Sequence, residues 1–542
     1  MSATDLPLRL AGRAAVELHS LGAAFRAGML AVEPPQRTFQ ALRSLRRYGV
    51  LGGELSIAAI RHGERTALVD DLGQLSYAEL DRRSNALANA WRERGIGERT
   101  SVAIYCRNHR GFLDATYACA KAGARALYLN TDFAGPQVRD VCEREGVEAL
   151  VHDEEFGPMV EGVEAPLGRF LAWTDSEPEA PTLERLIAEG DPSLPPPPDS
   201  DSSVVMLTSG TTGTPKGAPR TQPRSLAAVG ALLSKVPFRA GESTYVAAPL
   251  FHALGFAHAA VGVGLGSTLV IKRRFDPALT LAAVAEQRCT ALIVVPVMLQ
   301  RILSLGDDEL DRHDASALRI IFVSGSQLEG DLARRAMDRF GEVVYNLYGS
   351  TEVAWATIGT PEDLRAAPGC AGRPPFGTRV RLYDHHGRAV DKPGETGRIF
   401  VGNVLPFEGY TGGGTKEIVD GLMSTGDVGH FDVAGRLFVD GRDDEMIVSG
   451  GENVFPREVE ELLAGHDGIE EAAAIGVPDE QYGERLRAFV VPRRPELSED
   501  DVKSFVRENL ARFKVPREVI FVDELPRNPA GKVLKRELAE RV

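Results

Sequence analysis

The sequence predicts an α/β protein: a large N-terminal domain of parallel sheets, a small β-barrel-like unit and a small α+β C-terminal domain. Three observations carry this reading. After residue 60, short apolar runs alternate with helical segments, the pattern of parallel strands with helices on both faces. Beyond Gly377 the texture changes to short strands broken by glycine turns. About the last hundred residues form another compact α/β piece.

The elements follow in order. Residues 1–50 hold seven arginines (Arg9, Arg13, Arg26, Arg37, Arg43, Arg46, Arg47) against three acids (Asp5, Glu17, Glu33). Ala14, Leu18, Leu21 and Phe25 recur at helical spacing, which predicts a helix with one apolar stripe. A second short helix carries Leu42 and Leu45 beside Arg43, Arg46 and Arg47. Such a stripe ordinarily packs on the main body; the other reading is a surface helix resting on an anionic membrane. Thr66–Val69 reads as a strand, Ser76–Arg94 as a helix opened by Ser76 with Leu80 and Leu87 inward, and Ser101–Tyr105 as a strand. Phe112–Ala122 reads as a helix that Gly123 ends. Asp191–Ser200, with four consecutive prolines, is a stiff linker or surface loop. Strands follow at Ser203–Leu207, Thr268–Ile271, Ala291–Val295, Ile320–Val323 and Val343–Leu347, and glycine-punctuated ones at Val380–Tyr383, Gly397–Val401 and Leu437–Val439.

Composition narrows the function. A net charge of −15 argues against a nucleic-acid binder, which needs a basic face to displace counterions. Hydrophobic content of 43% excludes a wholly disordered chain. The five cysteines form no CxxC pair, as expected of a reduced cytoplasmic chain with buried thiols. No stretch approaches 18 uninterrupted apolar residues, and charges interrupt any signal-peptide core near the start. Only 10 of the 62 basic residues are lysine, so a lysine within a motif carries more information than usual.

One such motif is Leu207-Thr208-Ser209-Gly210-Thr211-Thr212-Gly213-Thr214-Pro215-Lys216-Gly217, directly after a strand. Its glycines let backbone amides turn toward an anion, its hydroxyls add donors, and Lys216 adds a compact positive charge. This suits the β- and γ-phosphates of a nucleotide, although no Walker A register fits.

The loop resembles the phosphate loop of the acyl-adenylate-forming superfamily, which includes acyl-CoA synthetases, peptide-synthetase adenylation domains and luciferases. Five further stretches match in the family's order: Pro249–Gly255, Tyr348-Gly349-Ser350-Thr351-Glu352, Ser424-Thr425-Gly426-Asp427, Gly441–Asp444 running into Ser449–Asn453, and Asn528-Pro529-Ala530-Gly531-Lys532. The resemblance covers the chain from about residue 60 to the end. It implies a helical extension at 1–60, an adenylation domain at 61–442 and a mobile C-terminal domain at 443–542, joined by a hinge at Asp444.

It also implies chemistry. A carboxylate attacks the α-phosphate of ATP to give an acyl-adenylate and pyrophosphate, and a thiol then displaces AMP. Glu352 and Thr208 resemble the Mg²⁺ ligands, which suffices for an ion that fills its shell with phosphate and water. Tyr348 resembles the adenine-stacking residue, and Gly325 and Ser326 lie in a segment resembling the one that lines adenine and the substrate tunnel. Ser326 and Gln327 depart from that segment's usual small-residue pattern. Asp427 suits two ribose hydroxyls, and Arg442 reaches ribose or phosphate. Lys532 resembles the catalytic lysine between carboxylate and α-phosphate, His252 a histidine near the acyl carboxylate, and Phe256 an acyl gate or, equally, a core residue. Gly450 and Gly451 are placed beside the pantetheine of CoA. His385-His386 reads as a polar hairpin tip, not a metal site.

The resemblance therefore implies ATP, Mg²⁺ and CoA as cofactors and an AMP-forming acid–thiol ligase as the activity. The apolar tract around Phe251–Leu265 and the uncharged stretch Ala247–Gly264 favour a fatty acid, and the arginine-rich extension before residue 60 resembles that of bacterial medium- to long-chain fatty acyl-CoA synthetases, which implies such a chain length. The alternatives are a fatty acyl-AMP ligase that loads a carrier protein, a ligase for a non-fatty acid, and a catalytically dead binding paralogue. Expected partners are the acid and CoA, with no nucleic acid and with the membrane contact described above; the oligomeric state stays open, a homodimer included.

Overall fold

The computed structural model describes residues 5–540 apart from 179, 209–215, 221–224, 406, 412, 444–446, 450–451, 480–482, 511–513 and 530. The chain divides into two compact units: residues 1–322 with 375–377 and 404–415, and residues 323–374 with 378–403 and 416–542.

The first unit is built on two mostly parallel sheets. One runs in the order Gly168–Trp173, Val147–Asp153, Ser101–Tyr105, Arg125–Tyr128, Ser203–Thr208, Lys216–Arg220, and only the last strand is antiparallel to its neighbour. In the other, Ala291–Val294, Ser243–Val246, Thr268–Val270 and Thr66–Asp70 pair in parallel, with Gly73–Ser76 antiparallel at the edge. The predicted strands thus stand within a residue or two of the observed ones.

The chain opens with helices α1 (Asp5–Ala27), α2 (Pro35–His62), α3 (Tyr77–Arg92) and α4 (Arg110–Ala122), and α3 and α4 show why their sequence signals held. At the start of α3, Ser76 Oγ accepts the Glu79 amide at 3.2 Å and Glu79 Oε2 accepts the Ser76 amide at 2.7 Å. This reciprocal cap fixes the entry. Leu80 and Leu87 are fully buried, as the spacing demanded. Gly123 ends α4 at φ 76°, where a side chain would be strained. Between the helices, the buried Lys121 ammonium of α4 meets Asp81 Oδ1 at 2.7 Å, Ser84 Oγ at 2.8 Å and Asn85 Oδ1 at 2.7 Å on α3.

The N-terminal segment corrects one expectation. Leu18, Leu21 and Phe25 do not pack on the body; Leu18 is 69% exposed. The buried face of α1 is Ser20, Ala23, Ala24 and Ala27, against the helix Ala227–Lys235. Small residues win because they let the two backbones close: a Cβ on Gly230 would stand 2.3 Å from Ser20 Cβ. Helix α2 is longer than predicted and breaks at Gly49 (φ 68°, ψ −164°). Its first half leaves Phe39 (67% exposed) and Leu42 in solvent; its second half buries Leu51, Leu55 and Ala58.

In the second unit, Val344–Tyr348 pairs antiparallel with Thr357–Gly359. The β unit is an open antiparallel sheet of Arg379–Tyr383, Gly397–Gly402, Leu422–Phe431 and Ile418–Val419, with Leu437–Arg442 on Leu422–Phe431; its strands do not close into a barrel. Ile469–Asp479 and Gly483–Pro492 form the centre of a last sheet, which Glu518–Phe521 joins in parallel. Helices Pro456–Ala464 and Glu499–Asn509 cover it through Val459, Leu463, Val502 and Val506.

Candidate functional site

In the second unit the strand Val344–Tyr348 runs straight into Gly349. A Cβ there would lie 2.2 Å from the Ala354 carbonyl oxygen, so only glycine lets the chain fold back on itself. The turn buries Glu352, whose Oε2 accepts a bond from Ser350 Oγ at 2.9 Å; the same Ser350 oxygen accepts the Glu352 and Val353 amides at 3.3 Å. Thr351 lies between them, half-buried. Asn403 Nδ2 donates to the Trp355 carbonyl at 3.0 Å and pins the far side of the turn. An isolated asparagine some fifty positions away gives no sequence signal for that role.

Tyr348 joins this turn to the β sheet. Its hydroxyl donates to Asp427 Oδ2 at 2.6 Å and meets Thr425 Oγ1 at 3.1 Å. Burial, and then the Asp427 carboxylate, push the phenol well above its ordinary range. Arg442 Nη1 stands 3.2 Å from Asp427 Oδ1, because Asp427 and Arg442 are cross-strand partners. Asp427 is aimed by its own turn: the Gly426 amide donates to Ser424 Oγ and the Asp427 amide to Thr425 Oγ1, each at 3.1 Å, with Gly426 at φ 82°. Ser324 Oγ donates to the Leu347 carbonyl at 2.9 Å, tying the Gly325 (φ 100°) and Ser326 segment to the same strand. Four predicted segments thus form one hydrogen-bonded network. Lys532 stands on a separate turn, where Asn528 Oδ1 accepts the Lys532 amide at 2.9 Å, the Asn528 amide donates to the Lys532 carbonyl at 2.9 Å, and Gly531 takes φ 77°. The backbone is fixed there; among the described residues no hydrogen bond or ion pair holds the half-buried lysine side chain.

In the first unit, Thr208 and Lys216 are register partners at the mouth of an antiparallel hairpin. The loop they frame, Ser209, Gly210, Thr211, Thr212 and Gly213 included, lies outside the described residues, as do Asp444, Gly450, Gly451 and Ala530. Lys216 Nζ sits 5.2 Å over the Tyr410 ring, and the hairpin is anchored by the Thr411 amide on the Gly217 carbonyl at 2.9 Å and Thr411 Oγ1 on Glu145 Oε1 at 2.6 Å. His252 precedes the helix Ala253–Gly264. Burial lowers its imidazole to about 4, and Nε2 has no hydrogen-bond partner among the described residues. One turn on, Phe256 meets the Tyr128 ring edge-on at 5.3 Å, and Tyr128 in turn meets Phe112 with the rings tilted and 4.8 Å apart.

A buried trio, Cys106, His109 and Asp153, has the spacing of a metal site. Its lone pairs are already in use. His109 Nε2 meets Asp153 Oδ1 at 2.7 Å, His109 Nδ1 accepts the Gly111 amide at 3.1 Å to cap α4, and Asp153 Oδ2 accepts the Arg107 amide at 3.0 Å. Burial pushes the Cys106 thiol far up, away from the thiolate that binds metal. The trio is a structural cap. His385-His386 also stands as read: His386 donates its amide to Asp384 Oδ1 at 2.8 Å in an exposed turn.

The second unit thus holds a buried carboxylate at Glu352, an aspartate between Tyr348 and Arg442, and a lysine on a hydrogen-bonded turn. Comparison gives the family. Residues 55–411 match the AMP-binding enzyme family and residues 458–532 its C-terminal domain, so the chain belongs to that family. It is 36% identical over 489 residues to a feruloyl-CoA synthase of an Amycolatopsis species, covering 89% of this chain and 95% of that one. It is 31% identical over 493 residues to the fatty acid–[acyl-carrier-protein] ligase ScoC of Streptomyces coeruleorubidus, covering 86% and 91%. The crystal structure of ATP-bound MatB from Rhodopseudomonas palustris superimposes with a TM-score of 0.81 at 27% identity, covering 90% and 98%.

The protein is an AMP-forming acid–thiol ligase that uses ATP, Mg²⁺ and CoA. The residues present fit this set. Gly349 lets the turn that carries Glu352 fold back on itself, and Glu352 presents a hard oxygen ligand held by Ser350. Bound Mg²⁺ neutralises phosphate charge.

Proposed function

We propose that the chain activates an apolar carboxylic acid as its acyl-adenylate and then passes the acyl group to CoA. The Tyr348–Asp427–Arg442 network carries this reading, since it prearranges acceptors and a cation for a ribose and a phosphate. Thr208 and Glu352 hold Mg²⁺; Ser209, Gly210, Thr211, Thr212, Gly213 and Lys216 cradle the outer phosphates; Gly325, Ser326, Tyr348, Gly349, Ser350 and Thr351 line the adenine. His252, neutral at physiological pH, faces the acid without a competing positive charge. Lys532 bridges carboxylate and α-phosphate, and the turn at 528–532 supports this by fixing the backbone while leaving the ammonium to the substrate. Gly450 and Gly451 admit pantetheine once the domain 443–542 rotates about Asp444 relative to 61–442.

A medium- to long-chain fatty acid is the first substrate reading, supported by the uncharged helix Ala253–Gly264. An aromatic acid is the second, supported by the Phe256–Tyr128 ring pair and the feruloyl-CoA synthase relative. We place the enzyme in the cytoplasm, with the 1–60 extension against the inner membrane face. The exposed Leu18, Phe25, Phe39 and Leu42, interleaved with Arg26, Arg43 and Arg46, support that contact; no described helix is long and apolar enough to cross a membrane.

The test supplies ATP, Mg²⁺ and acids from acetate to palmitate and ferulate, with and without CoA. Pyrophosphate and acyl-CoA are both followed. Lys532→Ala is expected to slow adenylation by about 10²–10³ while sparing thioester formation from supplied acyl-AMP. Wild-type adenylation in Lys532→Ala refutes its role. Pyrophosphate without acyl-CoA points instead to carrier loading, and no pyrophosphate with any acid refutes the whole reading.

A further inference from the structure

The phosphate loop has a neighbour that its motif does not contain. Lys216 stands exposed at the mouth of the hairpin, on a long stem with several rotatable bonds. Its Nζ lies 5.2 Å from the centre of the Tyr410 ring. An aromatic face attracts a cation at that range. Phe407 meets the Tyr410 ring edge-on at 4.9 Å, and the Gly413 amide on the Tyr410 carbonyl at 2.8 Å closes the turn. The ring is therefore placed by its own segment, 404–415, which belongs to the same compact unit as the hairpin.

That segment is fastened to the hairpin one residue past Lys216. The Thr411 amide donates to the Gly217 carbonyl at 2.9 Å, and Thr411 Oγ1 donates to Glu145 Oε1 at 2.6 Å. Glu145 is a fixed anchor: its side chain is 1% exposed and pairs with Arg125 and with Arg144 Nε at 3.3 Å. The glycine at 217 makes the approach possible. A Cβ there would stand 2.6 Å from Thr411 Oγ1 and 2.8 Å from Glu145 Oε1. Lys216 and Tyr410 thus come together because each is next in the chain to a fastened residue. A carboxylate in place of the ring would hold the ammonium more strongly, but would also offset the charge that a phosphate needs. A ring attracts the ammonium and leaves that charge whole.

We propose that Tyr410 is a positioning residue for ATP: its ring holds the Lys216 ammonium at the hairpin mouth before ATP arrives and keeps hold of it in the complex. This rests on the reading that sets Lys216 on the outer phosphates. Fixing a long lysine side chain in one place costs conformational entropy. A ring that restrains it in the empty enzyme removes that cost from the binding step, so the phosphates meet a cation already in position. Tyr410 acts through Lys216 alone, and its effect is confined to ligands that carry the outer phosphates.

The test measures Kd for ATP with Mg²⁺, and for AMP, by calorimetry on the full chain. Tyr410→Leu is expected to weaken ATP by about 3- to 10-fold and to leave AMP, which lacks the outer phosphates, unchanged. Tyr410→Phe keeps the ring and is expected to stay within about 2-fold of the wild type for both ligands. In a Lys216→Met background, Tyr410→Leu is expected to add nothing, because the group it acts through is gone. An equal loss of AMP in Tyr410→Leu overturns the inference, since misfolding or general packing would do that. So does a further loss of ATP in the Lys216→Met background, or tighter ATP in Tyr410→Leu, which would make the ring a competitor of the phosphates. A Lys216→Met variant that binds ATP as the wild type does removes the phosphate role of Lys216 and this inference with it. Weakened ATP in Lys216→Met with unmoved ATP in Tyr410→Leu removes the inference alone.

Discussion

Glu329 offers a test in which pH is the perturbation and a single substitution the control. It precedes the helix Gly330–Phe340 and makes no cap bond with its side chain. Burial, then Glu461, Glu460 and Glu471, push its carboxyl up to about 7 from an ordinary 4.5, and Arg527 opposes them. The neighbouring acids have cations of their own: Glu461 has Arg457 at 3.2 Å, Glu460 has Lys535 at 3.0 Å, and Glu471 has Arg527 at 3.0 Å. For an acid whose pKa is raised by folding, the folded state holds the proton while the unfolded chain has lost it. Stability therefore falls as pH rises from about 4.5 to about 7 and is level beyond. That interval, at about 1.4 kcal/mol per pH unit, sets a ceiling of about 3 kcal/mol; residual solvent contact brings the expectation to about 1–3 kcal/mol. Glutamine copies the protonated acid at every pH. Urea unfolding of the wild type and Glu329→Gln from pH 4.5 to pH 8 should give curves that coincide at the acid end and separate by that amount, in favour of glutamine, by about pH 7. A gap independent of pH, or one favouring the wild type at pH 8, refutes the reasoning.

Two further outcomes follow from the geometry. Lys121→Met strands the Asp81 carboxylate that pairs with the buried ammonium, so it should cost about 3–5 kcal/mol in urea unfolding; a cost under about 1 kcal/mol would mean the pair is dispensable. The N-terminal extension should carry the protein onto vesicles containing anionic lipid, with binding lost in high salt because each arginine contributes about 1 kcal/mol of screened attraction. Phe39→Asp with Leu42→Asp should abolish that binding and leave adenylation unchanged; equal binding to neutral vesicles contradicts the reading.

Much of this was legible in the sequence, for a local reason. Ser76 and Glu79 cap one another across three residues, and Gly123 ends a helix by its own φ. Ser424, Thr425 and Asp427 hold one another within one turn, as do Asn528, Gly531 and Lys532. Where structure is set by neighbours in the chain, residue order records it. The N-terminal stripe failed because helical spacing shows which residues share a face but not whether that face is covered. Ser20 against Gly230 decided the matter through a close approach more than two hundred residues apart. Asn403 and Tyr410 went unnoticed for the same reason, since each acts on a partner that the sequence places elsewhere.

That division has a consequence for substrate choice. Thr208, Lys216, Tyr348, Glu352 and Lys532, assigned to nucleotide activation, lie in short motifs inside the matched segments; Asp427 and Arg442 fall between the two segments, and Asp427 is locked to both Tyr348 and Arg442. The ring wall assigned to the acid draws Tyr128 and Phe256 from two separate elements. A change in that wall alters which acid fits without disturbing a hydrogen bond of the Asp427 network. Relatives at about one-third identity can then share the adenylation step and differ in the acid, as a feruloyl-CoA synthase and a fatty acid ligase do here. Overall identity cannot choose between them. The panel of fatty and aromatic acids reads that difference directly, at the ring pair of Phe256 and Tyr128.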